Sequence, residues 1–395
     1  MSGITTRASI DGGPRFWGLL ALLGVPLAAA AVAYFYMEHH GHIVTGMDNQ
    51  IVWGMPHVFA VFLIVAASGA LNVASIASVF GKTEYKPLAP LSAAVAAALL
   101  VGGLAVLVLD LGRSDRLIVA MTHFNFKSIF ALNIFLYTGF LAIVGVYLWF
   151  MLERRMQRWS SAAGVFAFLW RLALTTGTGS IFGFLAAREA YDSALLAPMF
   201  IVFSFAYGTA IFIAVLLAAA AWDGRTIDDA LLRRLKNLLA IFVAGALYFV
   251  AVFHLTKLYV ARYDGVEHFI LVEGGIYTRL FWFGQVLLGG IAPLALLLHP
   301  RVSSARGAIV SSCALVALGG IAQMYVTIIG AQAWPLALFP GMTESSRFFD
   351  GEIHFYAPSA PEILLGLGGV ALALAIIVVA LRALAILPAR AADAA

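Results

Sequence analysis

Ten separate stretches of this chain are apolar enough and long enough to cross a bilayer, and together they leave almost no residues from which to build a soluble domain. A helix needs about 20 mostly apolar residues, at 1.5 Å rise each, to span the hydrocarbon core. The stretches run over 16–37, 51–80, 90–112, 126–152, 160–187, 196–221, 233–261, 278–299, 304–331 and 361–387. Their length and continuity exclude a transmembrane β-barrel, whose segments are about 10 residues long and alternate in polarity. The expected fold is therefore all-α, a polytopic membrane bundle. Composition agrees: 63% of the 395 residues are hydrophobic and only 11% are charged, far from the make-up of a soluble domain.

The net charge of +4 does not point to nucleic acid, because the basic residues are scattered among short loops beside the spans and report topology. Arg7, Arg15, Lys82, Lys86, Arg154, Arg155, Arg158, Arg225, Arg233, Arg234, Lys236, Arg301, Arg306, Arg382 and Arg390 fall on the side of the two termini. The other side has about half as many by the same bookkeeping. Both termini are thus expected in the cytoplasm, with the first span a retained helix and not a cleaved leader. Cys313 is the only cysteine, so the chain has no internal disulfide and no cysteine-ligated iron–sulfur cluster. Electrons, if it handles them, come from a partner.

Polar side chains at bilayer depth cost a few kcal/mol unless paired or hydrated, so each marks a candidate site. Counted from the outer ends of their spans, His57, Asn133, Thr178, His254, Gln285 and Gln323 fall roughly 10 to 15 Å deep, which suggests one water-accessible pocket. Taken singly, the amides and Thr178 could merely hydrogen-bond neighbouring helices; the histidines add a titratable proton. Arg171, on the inner half of the fifth stretch, has Asn72 as its expected partner, in a structural bond or a proton route, unless it snorkels to the cytoplasm. His39, His40 and His42 crowd the first outer loop, but without an ordered scaffold they read as solvated or partner-contacting rather than metal-binding. No metal site is expected. The loop 332–360 carries Trp334, Pro335, Leu336, Leu338, Phe339, Phe348, Phe349, Phe355 and Tyr356, and should lie on the outer interface or cap the bundle.

At the end of the third stretch the chain reads Asp110, Leu111, Gly112, Arg113, Ser114, Asp115, Arg116, and the next begins Phe124, Asn125, Phe126, Lys127, Ser128. This resembles the D-L-G-R-x-x-R and F-N-x-x-S signature of the NrfD, or polysulfide reductase membrane-subunit, family. Trp53, Gly54, Met55, Pro56 with Ala67, Ser68, Gly69 are similar to that family's first core helix, and Ala187, Arg188, Glu189, Ser193 and Pro198 to the junction after its fourth. The resemblance covers about residues 51–331 as an eight-helix core, leaving 1–50 and 361–395 as an extra helix at each end, most like the DsrP branch of sulfur-redox complexes. It implies two four-helix bundles, a quinone pocket (menaquinone or ubiquinone) toward the outer face, and a ferredoxin-like iron–sulfur subunit docked there, in a bacterial inner membrane. Among the histidines it assigns a quinone contact to His57 alone; where some relatives have a tyrosine, Gly177 and Thr178 stand. Asp110 and Arg113 are expected to form a helix-end ion pair or, with Arg188, a docking surface.

Quinone chemistry moves two electrons and two protons, so such a pocket needs carbonyl donors, a titratable group near neutral pH and an apolar sleeve. The alternatives are a proton- or ion-translocating module, and a b-type haem protein with His57 and His254 as axial ligands. An independent transporter is disfavoured, because no pair of broken helices recurs in matching halves.

Overall fold

The computed structural model describes residues 7–336 and 351–388. Among them are ten helices long and apolar enough to span a membrane: α1 Pro14–His40, α2 Met55–Ser78, α3 Thr83–Leu109, α4 Ile129–Leu152, α5 Arg154–Gly183, α6 Leu196–Trp222, α7 Asp229–Tyr259, α8 Ile276–Leu298, α9 Arg306–Ala333 and α10 Ala360–Ala383. The protein is a multi-pass, all-α integral membrane protein. Helices α2 to α5 pack as one group of four and α6 to α9 as a second, and the groups meet along α2 and α6. Helix α1 lies on α10, and α10 packs on α3 and α2. Burial separates centre from rim: 94% of the most apolar window of α2 is buried inside the protein but only 17% of that of α1. Helix α2 is the spine and α1 lies at the rim.

Small residues let the two groups approach closely, as in membrane helix pairs generally. A Cβ on Gly69 would sit 1.5 Å from the Ser204 carbonyl oxygen, and one on Gly208 would sit 2.1 Å from the Gly69 and Ala70 backbone. Just past this crossing α2 is interrupted at Leu71. The Ser92 hydroxyl of α3 enters the gap, donating to Ala70 O at 2.6 Å and accepting from Ala74 N at 3.1 Å. It thereby replaces the helical bond that the break removes, a recognised cause of a kink.

The even number of spans brings both described ends of the chain to one end of the bundle. There the short strands β1 (Arg7–Ala8) and β2 (Leu387–Pro388) pair antiparallel. The Arg225 guanidinium, held by Asp223 at 2.8 Å, donates to Pro388 O and Ser9 O. At the opposite end the loops 41–54, 110–128, 184–195 and 260–275 gather with the described parts of 334–359. Leu338, Phe339, Phe348 and Phe349 lie outside the described residues, as do Arg347 and Arg390. Of the other aromatics in that loop, Phe355 stacks on Tyr277 and Trp334 meets Phe269. Tyr356 is buried; its hydroxyl accepts from Met55 N and donates to Glu362.

Candidate functional site

The start of α2 is gripped from three directions. Gln332, at the end of α9, accepts from Val52 N and Trp53 N at 2.9 and 3.0 Å and donates to Trp53 O and Ile328 O. All the bonding capacity of a buried amide is used there. Arg188 donates to Gln50 O at 2.7 Å and Gln332 O at 3.2 Å, so its guanidinium stitches loops together where the sequence suggested a docking surface. Burial draws that guanidinium below its usual range. Gln50 closes the clamp by donating to Ala333 O and Glu352 O.

The clamp fixes His57, on the first turn of α2. Its Nδ1 stands 3.0 Å from Asp110 Oδ2, at ion-pair distance but without hydrogen-bond alignment. Asp110, one residue past α3, has a side chain only 1% exposed, and neither carboxylate oxygen has an aligned donor. On its other side is His42, whose Nε2 donates to Asp110 O at 3.1 Å and lies 3.7 Å from Oδ1. The His42 ring rests over Gly112, which has φ +66°; a Cβ there would meet the ring at 3.1 Å. The glycine of the D-L-G-R segment thus makes the turn and leaves room for an imidazole from a loop 68 residues away. Trp53 flanks His57 and makes ring contacts with Phe130, Phe182 and Tyr191.

Burial alone would raise the Asp110 carboxyl, but the His42 and His57 imidazoles outweigh it and hold the group below the usual carboxylate range. The hydrogen bond to Asp110 lifts His42 above the ordinary imidazole value, against the opposing effect of burial. Two imidazoles on a buried, ionised carboxylate can take up a proton near neutral pH, and the carboxylate between them can pass it on transiently.

Asp110 and Arg113, expected as a helix-end ion pair or part of a docking surface, do not pair: Arg113 bonds Asp115 at 2.9 Å, with both side chains exposed. The turn at Gly112 redirects the chain before Arg113, while Asp110 stays on the helix end that faces α2. The rest of the signature is local structure. Asn125 Oδ1 accepts from Lys127 N, and Ser128 caps α4 by accepting from Ala131 N.

The six polar groups expected in one pocket occupy three places. Measured along their helices from the outer ends, they lie roughly 3 Å deep for His57 to 15 Å for Gln323. His57 belongs to the cluster above. Asn133 donates to Gly177 O at 3.0 Å, and the Thr178 hydroxyl meets the buried Tyr137 hydroxyl at 3.1 Å, joining α4 to α5. His254, Gln285 and Gln323 line a cavity of about 40 Å³ in the second group, room for about three waters. There His254 Nδ1 donates to Glu267 Oε2 at 2.6 Å, and Gln323 donates to Thr327. Both polar atoms of the Gln285 amide are buried without a partner. Phe269–Glu273, Leu280–Ile291 and Val326–Gly330, all beside this cavity, are π-helical, a form that concentrates at functional sites.

Arg171 does not snorkel. It is 3% exposed and donates to Asn72 Oδ1 at 2.5 Å and Ser68 O at 3.1 Å, between the Phe168 and Phe205 rings. Asn72 in turn donates to Thr209. Sequence reasoning missed the roles of His42, Glu267, Gln332 and Tyr137. Glu267 was open to detection, because it is an acid just beyond the span that ends with His254.

Fold and site together define a polytopic helical membrane protein with a histidine–carboxylate centre at the bundle end opposite the termini. The chain belongs to the NrfD family: the family described as polysulphide reductase, NrfD matches residues 43–335. Among curated relatives, an Hdr-like menaquinol oxidoreductase integral membrane subunit from Archaeoglobus fulgidus is 30% identical over 94% of this chain and 95% of its own length. The membrane subunit of a putative dimethyl sulfoxide reductase from Halobacterium salinarum is 27% identical over 93% and 90%. A selenate reductase subunit from Mesobacillus selenatarsenatis is 22% identical over 87% and 86%.

Proposed function

We propose that this chain is the quinone-reactive membrane subunit of a respiratory or sulfur-redox complex, exchanging electrons between the membrane quinone pool and an iron–sulfur partner. The observation that carries the reading is the His57–Asp110 pair, a protonatable couple 3.0 Å apart at the head of a clamped helix, walled by Trp53 and its aromatic neighbours. Oxidising a quinol releases two protons with its two electrons. His57 accepts a proton from a quinol hydroxyl, and Asp110 stabilises the imidazolium that forms. With quinone as acceptor the same group donates. A relative named as a menaquinol oxidoreductase subunit favours menaquinone over ubiquinone.

The chain's single cysteine cannot hold a cluster, so the electrons pass through a partner. The excess of Lys and Arg at the clasped end orients both termini to the cytoplasm of a bacterial inner membrane. The site and its iron–sulfur partner then face outward, near loops 113–127 and 184–195.

Purifying the complex with its neighbouring subunits and measuring quinone content, iron and quinol turnover tests this. His57→Ala should abolish turnover while the complex still assembles; turnover within a factor of about two of wild type, against the 10²-fold typical of acid–base groups, overturns it. Crosslinks from outer loops to a cluster-binding subunit are expected, and crosslinks confined to 153–159 and 222–228 reverse the docking side. A second reading, proton translocation, is favoured by the His254–Glu267 cavity with its unpartnered Gln285. The haem alternative gains nothing, since each imidazole faces a carboxylate, in separate helix groups.

A further inference from the structure

His42 lies one residue before the stretch that the family describes, residues 43–335, yet it touches the most buried carboxylate of the candidate site. His57 is 18% exposed in its side chain and Asp110 1%, whereas His42 is 30% exposed. A proton that reaches Asp110 has no other titratable side chain described within ion-pair distance than these two imidazoles. His57 stands at Oδ2 of the carboxylate and the more exposed His42 at Oδ1. The approach of His42 depends on the missing side chain at Gly112. We propose that His42 is the outer gate of the site, a proton-relay residue supplied by the segment after the extra helix α1, which carries protons between Asp110 and the outer aqueous phase. The inference rests on the quinone reading given above.

In the oxidising direction the steps balance as follows. The two quinol hydroxyls give their protons to His57 one after the other, one electron leaving to the iron–sulfur partner with each, so the relay below runs twice per quinol. The His57 Nδ1 proton passes to Asp110 Oδ2, leaving neutral imidazole. The Asp110 acid gives its proton to the bare nitrogen of His42, and the resulting imidazolium loses a proton from its other nitrogen to water. The Nε2–H contact to Asp110 O is the state after transfer, and a ring flip resets it. Quinone reduction runs the same atoms backward. The other charges near His42 are Glu38, on α1, which favours its protonated form, and Arg113, which Glu38 also reaches. Both lie toward solvent from the buried carboxylate.

The test uses the assembled complex in membranes, with reduced dimethylnaphthoquinone as donor and a dye acceptor. His42→Gln keeps a donor for Asp110 O but cannot carry a proton. It should slow turnover at least about tenfold, short of the loss expected of a group on the reacting atoms. The quinol KM should stay unchanged, the alkaline limb of the pH profile should disappear, and millimolar imidazole should restore the rate to His42→Ala. Wild-type rate and pH profile in His42→Gln overturn the relay. So does a slowed variant whose defect lies in KM and which imidazole does not rescue. His57→Ala is run in parallel: if it retains turnover the quinone reading itself fails, whereas loss in His57→Ala with a normal His42→Gln removes the gate alone.

Discussion

The two helix groups each hold one buried histidine–carboxylate pair, and the pairs differ in what surrounds them. His57–Asp110 sits at a bundle end, and through His42 it reaches water. His254–Glu267 bonds at 2.6 Å beside a small cavity lined by Gln285, Gln323 and Thr327, and the Lys257 ammonium also acts on Glu267. The same chemical couple is thus continued by a second imidazole in one place and by an ammonium and a cavity in the other. What separates them is what the carboxylate meets next, since the pairs themselves are about equally buried: a partly exposed imidazole from a loop in one case, an ammonium and a small cavity in the other.

The comparison can be broken most forcefully at the histidines. His57→Ala should lower quinol turnover by about 10²-fold or more, measured at constant complex abundance; equal losses from His57→Ala and His254→Ala would erase the distinction. His254→Ala should instead act on stability. It removes the hydrogen-bond donor of the Glu267 carboxylate and leaves the Lys257 ammonium as its nearby charge, so the cost should fall below the figure of about 3–5 kcal/mol for a buried pair broken outright, read as a lower Tm of the detergent-solubilised complex with turnover within about twofold of wild type. Gln285→Leu should leave stability equal or improved, because an unpartnered amide is replaced by an apolar group. A drop of more than about 2 kcal/mol would mean that the amide is bonded to ordered water or a ligand.

A smaller effect sharpens the first pair. His42 has its value raised, so its contribution to stability is full below about 6.5 and is lost as pH rises through the folded value. Asp110 has its value lowered, so its contribution is full above about 3.9 and is lost as pH falls through the folded value. Stability from this contact is therefore greatest between those limits and declines on the alkaline side, a slope that His42→Gln should flatten in melts taken across pH. Arg113→Ala should change nothing measurable in Tm, since its pair with Asp115 is wholly at the surface. A clear loss would restore Arg113 to the site.

The spans were legible because apolar length is a local property. The stretch at 361–387 became α10 at Ala360–Ala383, and the one at 51–80 became α2 at Met55–Ser78. Four residues were lost at the head of α2 because Val52 and Trp53 bond Gln332 and not their own helix. That trimming places His57 nearer the surface than the sequence count allowed. Depth counting also could not say which way a side chain faces around its helix, so groups of similar depth were read as one pocket. Arg171 and Asn72 were legible as partners because an intramembrane guanidinium must find an acceptor and few were available. The role of His42 was not, since its partner is 68 positions away and the crowding of His39, His40 and His42 does not single it out.

The clasp between β1 and β2 also has a consequence for biogenesis. Helix α1 leaves the ribosome before the other nine described spans, yet the helix it packs against, α10, is the last of the ten. At about 5–20 residues per second of synthesis, α1 waits some tens of seconds in the lipid for its neighbour. During that interval its contact face, with Ala30, Ala33 and Met37, is open to any other helix in the membrane. An insertion factor that shields this face, or early recruitment of a partner subunit to it, would decide whether nascent chains close on themselves or on one another.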